Sequence, residues 1–217
     1  MHCRHTLALT GILLLSACGQ SAPAPSSQTA DSSSASHAVA AAPIPSGKQR
    51  FNSPAQGFYI DYPHAMTPSP HFDSQYLANA DWKAYAPLGS QGSPVLRLTL
   101  AGSDQVTAGE LRIGISRHAD EVRQCDQLSG AALPKTLGKT TLNGITFTTW
   151  HARDAGMSHY LKVHSYRVVH DGACYAIDLL VTGTNPMVYS PPKTPPFTSQ
   201  AAFARLQQAL QGFHFTH

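Results

Sequence analysis

The stretch His164-Ser165-Tyr166-Arg167-Val168-Val169-His170-Asp171-Gly172-Ala173-Cys174-Tyr175-Ala176-Ile177-Asp178-Leu179-Leu180-Val181 decides the fold. Asp171-Gly172 favours a type I′ turn, whose two central residues both need positive φ. Pairing outward sets Val169 opposite Cys174, Val168 opposite Tyr175, Tyr166 opposite Ile177 and His164 opposite Leu179. One face of this hairpin then carries Tyr166, Val168, Tyr175, Ile177, Leu179 and Val181; the other carries Arg167, Val169, Cys174, Ala176 and Asp178. Apolar residues on both faces predict the central pair of an antiparallel sheet, covered on each side. Arg167 and Asp178 fall on a diagonal, which predicts a structural cross-strand ion pair.

Outward from this hairpin, Asn143-Gly144 is a second turn of the same type, setting Leu142 opposite Ile145 and Thr140 opposite Phe147. Three further strands show in alternation: Phe58, Ile60 and Tyr62, stopped by Pro63; Leu96, Leu98 and Leu100; and Leu111, Ile113 and Ile115. The stretch 64–94 is rich in Pro, Ser, Gly and Asn and reads as a long loop with a short helical piece around Tyr76 to Tyr85. Two helices fit as covers. One is capped by Ser116 and runs to about Ser129, with Ala119, Val122, Cys125 and Leu128 on its stripe. The other is capped by Thr198 or Ser199, with a stripe of Phe203, Leu206, Leu210 and Phe213. The run Pro186 to Pro196 is an irregular connector. These elements predict one α+β domain over 51–217: a single antiparallel β-sheet with helices packed on both faces, stapled by one disulfide.

Ahead of that domain the chain changes character. Arg4, the apolar run Leu7 to Leu15 and the small residues Ser16-Ala17 read as an export signal over 1–17, too short to anchor as a membrane span. Leu15-Ser16-Ala17-Cys18 resembles the lipobox of bacterial lipoproteins. That resemblance implies that Cys18 becomes the acylated mature N-terminus, carrying palmitate-type chains that give stable membrane anchoring. Gly19 stands where the enteric sorting rule places an inner-membrane Asp, which implies the periplasmic face of the outer membrane. Residues 18–50 hold only three charged side chains, Asp31, Lys48 and Arg50, and no apolar period, so they read as a disordered Ala/Ser/Pro tether. A coil of this length spans about 30 Å.

The address bears on the cysteines. Cys3 leaves with the signal and Cys18 is acylated, so Cys125 and Cys174 remain in an oxidising compartment and are expected to form a disulfide. Closing that loop is worth about 4 kcal/mol in the chain-entropy model. The bond would set the 117–129 helix on the Cys174/Ala176 face and leave the aromatic face to the C-terminal helix.

The segment Phe51-Asn52-Ser53-Pro54-Ala55-Gln56-Gly57-Phe58-Tyr59-Ile60-Asp61-Tyr62-Pro63 is similar to the opening of an α+β superfamily. That superfamily includes the extrinsic oxygen-evolving subunit of photosystem II and Ran-binding nuclear import factors. The resemblance implies an antiparallel sheet covered by helices on both sides. It implies no particular function, because that superfamily hosts unrelated binding roles.

Composition narrows the function classes. Charged residues make up 12% of the chain, about half the usual ~25%. The formal charge of +3 is not gathered into a Lys/Arg cluster, which argues against a nucleic-acid partner. Twelve His residues raise a metal reading, with His151, His159, His164 and His170 on or near the hairpins, but no pair has zinc-site spacing. Gly156-Met157-Ser158-His159 is similar to a nucleophile elbow without its closing Gly, and His151, Asp154, Ser158 and His159 form a polar group in sequence. No catalytic or metal residue and no cofactor is assigned. The expectation is a non-enzymatic, lipid-anchored accessory protein of the bacterial envelope that binds an envelope protein or another envelope component. A metal- or small-ligand-binding protein using the His-rich hairpins is the alternative, with a hydrolase behind it. The candidate contact surface is the 64–94 loop with Tyr76, Trp82 and Tyr85, since exposed loop aromatics serve as binding anchors. The competing reading is that these rings simply cap the sheet.

Overall fold

A computed structural model describes residues 43–127 and 136–216. The expected signal, Cys18, the tether up to 42, and Leu128 and Ser129 of the expected first helix lie outside those residues. In chain order the strands are β1 (Lys48–Ser53), β2 (Phe58–Pro63), β3 (Thr67–Ser69), β4 (Ser93–Thr99) and β5 (Ala108–Ser116). The helix α1 (Ala119–Arg123) follows, then β6 (Thr136–Leu142), β7 (Ile145–Gly156), β8 (His159–His170) and β9 (Ala173–Thr184). The chain closes with α2 (Ser199–Leu210) and β10 (Phe213–Phe215). β1 begins at Lys48, ahead of the expected domain boundary at 51.

Two antiparallel sheets result. One has three strands in the order β1-β2-β10, the other seven in the order β3-β4-β5-β9-β8-β7-β6. The expected hairpin registers are present: Thr140 pairs with Phe147 and Leu142 with Ile145, while Tyr166 pairs with Ile177 and Val169 with Cys174. Asn143, Gly144, Asp171 and Gly172 all have positive φ, as their turns require. The segment Gly156-Met157-Ser158-His159 is a third tight turn rather than a nucleophile elbow: Met157 and Ser158 both take positive φ and join β7 to β8.

The expected single sheet with helices on both faces is overturned. β2 leaves the main sheet to pair with β1 and with the C-terminal β10. Gly212 makes this possible: Asp61 N–H donates to Gly212 O at 2.9 Å, and a Cβ on Gly212 would stand 2.0 Å from Asp61 O. Helix covers only one face of the large sheet at any length. There α2 sets Ala202, Leu206, Ala209 and Leu210 against Leu111, Ile113, Ile177 and Leu179, with Phe58, Ile60 and Phe213 of the small sheet in the same core. Thr198 caps α2, its hydroxyl accepting Ala201 N–H at 3.1 Å. Phe213 lies in β10, beyond the end of α2, and Phe203 is half-buried at the rim of the core.

The second face carries Trp82, Cys125, Cys174 and Ala176 in one cluster and Ala78, Leu161, Val163 and Leu180 in another. Its cover is the irregular 70–92 segment with the five-residue α1 beside it. No helix forms around Tyr76 to Tyr85. Ser116 is not the cap of α1; its hydroxyl donates to Gln91 O and accepts His118 N–H, tying β5 to the covering segment. The Cys125–Cys174 disulfide is present, with Cα atoms 5.5 Å apart. It fixes the chain just after α1 to the face on which Ala176 leaves room.

An irregular cover has backbone groups that it cannot satisfy itself. The sheet supplies the partners. Arg112 donates from Nη1 to Asn79 O at 2.8 Å and from Nη2 to Asp73 O at 2.9 Å. Ala84 N–H donates to Asp178 Oδ2 at 2.8 Å. Asp178 in turn receives Arg167 and the Ser165 hydroxyl, so the diagonal pair seen in the sequence is a buried network beneath the loop. Lys83 pairs with Glu121 at 2.6 Å, and Glu121 also accepts from the Ser90 hydroxyl, which ties the segment to α1.

Candidate functional site

The second face is not covered along its whole length. Where the 70–92 segment stops, alternate residues of four strands pave the floor of an open cleft of about 660 Å³. Arg97 and Thr99 come from β4, Ala108 and Glu110 from β5, Thr182 and Thr184 from β9, and His159 from β8. These are the residues that alternation turns away from the α2 core. Asp73, Gln75 and Tyr76 form one wall; Ser103 to Gln105 and Val188-Tyr189 line the remainder. A second cavity of about 460 Å³ lies under the covering segment between Leu77, Ala84, Leu161 and Leu180, and residues 75–77 separate the two.

The charged groups of the cleft are compensated internally. Asp73 pairs with Arg97. Glu110 accepts Arg112 Nε at 2.8 Å and Gln75 Nε2 at 3.2 Å, while the Thr182 hydroxyl donates to Gln75 Oε1. Asp104 Oδ1 accepts Val106 N–H at 2.8 Å and Thr107 N–H at 2.9 Å, shaping the β4–β5 loop. Arg97 Nε is buried and makes no hydrogen bond with the described residues. Tyr76 stacks on His159 with ring centroids 4.4 Å apart, and His159 Nδ1 lies 3.2 Å from the Thr184 hydroxyl. Lys193 Nζ sits 4.1 Å from the Tyr189 ring centroid. Met157, Met187 and Val188 are exposed at the turns beside the cleft, which Asn185 N–H joins by donating to Ser158 O at 2.8 Å.

The three aromatics singled out in the sequence have different fates. Tyr76 is 59% exposed and belongs to the cleft wall. Trp82 is 2% exposed and offers no ring to a partner; its Nε1–H donates to Ser90 Oγ at 2.9 Å. Tyr85 is half-buried against Trp150, centroids 5.9 Å apart, and burial pushes its phenol up to about 12. Two of the three therefore belong to the cap over the sheet.

The polar group His151, Asp154, Ser158 and His159 is parted by the fold. His151 stacks on His164 at 3.7 Å, and His164 on Phe203 at 3.8 Å, on the α2 side of the sheet. Asp154 Oδ1 accepts Ala155 N–H at 2.7 Å, and His159 faces the cleft. His170 lies instead against Phe215, at 3.9 Å. Burial, and next the neighbouring His151, push His164 down to about 4. Among the described residues no group of three His, Cys, Asp or Glu is placed to hold a metal ion.

Of the cleft residues, the sequence singled out Tyr76 as a contact residue, and His159 among the hairpin histidines and in the polar group around Ser158. The signal for the floor was present in alternation. Arg97, Thr99, Glu110 and Thr182 occupy the out-of-core positions of strands whose other face is apolar. What they line depends on where the cover ends, which alternation does not state.

No family model and no curated protein matches this chain. Among solved structures, the chain is weakly similar to the solution structure of cyanobacterial PsbP (CyanoP) from Synechocystis sp. PCC 6803, with a TM-score of 0.42 and 11% identity. The match covers 78% of this chain and 92% of that one.

Proposed function

We propose that this chain is a lipid-anchored binding module of the bacterial envelope. Acylated Cys18 holds it at the periplasmic face of the outer membrane, and the tether carries the folded domain off the lipid surface. The domain binds another envelope component rather than catalysing a reaction. The Leu15-Ser16-Ala17-Cys18 string supports the address, and the Cys125–Cys174 disulfide is in keeping with an oxidising compartment. The observation that carries the binding role is the open cleft, whose floor is preset by paired strands and whose polar groups converge from four of them.

Two measurements test this. Labelled palmitate should enter the wild-type chain and not the Cys18→Ala variant, and only the wild type should fractionate with outer membranes. Capture from gently solubilised envelopes should enrich a component with wild type that Tyr76→Ala fails to hold. An unlabelled wild-type chain found in the soluble fraction would remove the anchor; capture indifferent to Tyr76 would remove the cleft.

A further inference from the structure

We infer that the cleft over Arg97, Glu110, Thr182 and Thr184 binds an uncharged oligosaccharide, with the exposed Tyr76 ring as its stacking platform. This rests on the cleft being the binding site and does not depend on the lipid anchor.

The charge pattern comes first. The cleft holds three carboxylates and one guanidinium, which alone would suggest a cationic ligand. Yet Asp73 is matched by Arg97, Glu110 by Arg112, and Asp104 by two backbone N–H groups. A cationic ligand would have to share these carboxylates with donors already seated on them, which lessens what its charge could gain. A neutral ligand leaves them intact and bonds to their outward sides.

The second argument is the mixture of groups. Hydroxyls at Thr99, Ser103, Thr182 and Thr184 stand beside the planar groups of Arg97 and Gln75. Arg97 Nε is a buried donor without a hydrogen bond to the described residues. Such a floor offers donors and acceptors at close spacing, which is what adjacent sugar hydroxyls require, since each both donates and accepts.

The platform is the third. A pyranose has one face of C–H groups and a rim of hydroxyls, so it pairs with an exposed aromatic ring flanked by polar side chains. Tyr76 meets that description: its ring is held by the stack on His159, and it stays exposed beside the floor. The cleft is open rather than enclosed, which suits a chain of sugar units lying across it better than a single buried molecule.

The test is calorimetric titration of the full chain with N-acetylchitotetraose and, separately, maltotetraose, which distinguishes an N-acetylhexosamine chain from a plain hexose chain. Binding of either is expected, weakened about tenfold or more by Tyr76→Ala and retained by Tyr76→Trp. Tyr76 is exposed, so thermal unfolding of each variant should match the wild type and separates lost binding from lost folding. No heat from either sugar at millimolar concentration overturns the inference, as does equal binding by Tyr76→Ala. Tighter binding of tetralysine, competing with sugar, would show a cation site instead. If neither sugar binds while Tyr76→Ala still abolishes envelope capture, the glycan reading falls and the binding module stands.

Discussion

Arg167 and Asp178 meet beneath the 70–92 segment, with Nη1 to Oδ1 at 2.8 Å and Nη2 to Oδ2 at 3.1 Å, both side chains 2% exposed. The Arg167 guanidinium also lies 5.3 Å from the Trp150 ring centroid. The pair therefore holds in place one of the buried links between the sheet and its irregular cover, since Asp178 also accepts the Ala84 N–H.

Removing one partner leaves the other charge buried and uncompensated. Asp178→Ala should cost about 3–5 kcal/mol, read from urea unfolding. The double variant Arg167→Met/Asp178→Leu should recover much of that loss, because it leaves neither charge. Asp178→Ala within about 1 kcal/mol of wild type would show the cover to be held elsewhere.

Gly114 lies directly under the Trp82 backbone. A Cβ there would stand 1.7 Å from Trp82 O, a contact that no rotamer relieves. Gly114→Ala should therefore lift the segment around Trp82, cost about 1–3 kcal/mol, and shift tryptophan emission toward the red. Unchanged emission and stability would mean that Trp82 is not seated on the sheet.

The disulfide joins residues separated by 49 positions. Cys125→Ala/Cys174→Ala should lower stability by about 4 kcal/mol through the loop it releases in the unfolded chain. Denaturant melts of the two proteins check this. An equal midpoint would mean that the 70–92 cover and α1 suffice to hold that face without the bond.

Stability should fall on mild acidification. His164 sits between His151 and Phe203 and is pushed down to about 4 in the fold, against an ordinary value near 6.5. Burial lowers His151 as well. Between these values the unfolded chain binds protons that the folded chain refuses. The stability is thus fully present above pH ~6.5 and declines as pH falls toward ~4, where the folded form also titrates. Urea melts across this range should show the decline, and His164→Phe, which keeps a ring in the stack, should flatten it. An unaltered slope in that variant would assign the effect to other groups.

Local chemistry made part of this molecule legible in advance. Asn143-Gly144 and Asp171-Gly172 set two hairpin registers, because positive φ at both positions leaves a two-residue turn few options. Once those registers stand, period-two alternation assigns each residue to a face and yields the Arg167–Asp178 diagonal. The Cys125–Cys174 bond was expected instead from which cysteines remain, and it left the aromatic face to α2. The Met157-Ser158 turn has no glycine at either central position, so its register was not fixed in the same way.

The sequence by itself therefore determined the pairing within two hairpins and which face their side chains take, consequences of contacts within one turn or one hairpin, and left Cys125 and Cys174 as the two cysteines to pair. Only the tertiary structure decided that β2 joins β1 and β10 in a separate sheet, that an irregular segment covers the second face, and that this cover ends short of Arg97 and Thr182 to leave a cleft. Those outcomes hang on polar contacts between distant parts of the chain, such as Ala84 N–H to Asp178, 94 positions apart. Such contacts form because an irregular backbone must satisfy its buried groups from whatever the sheet presents, and no local period records that.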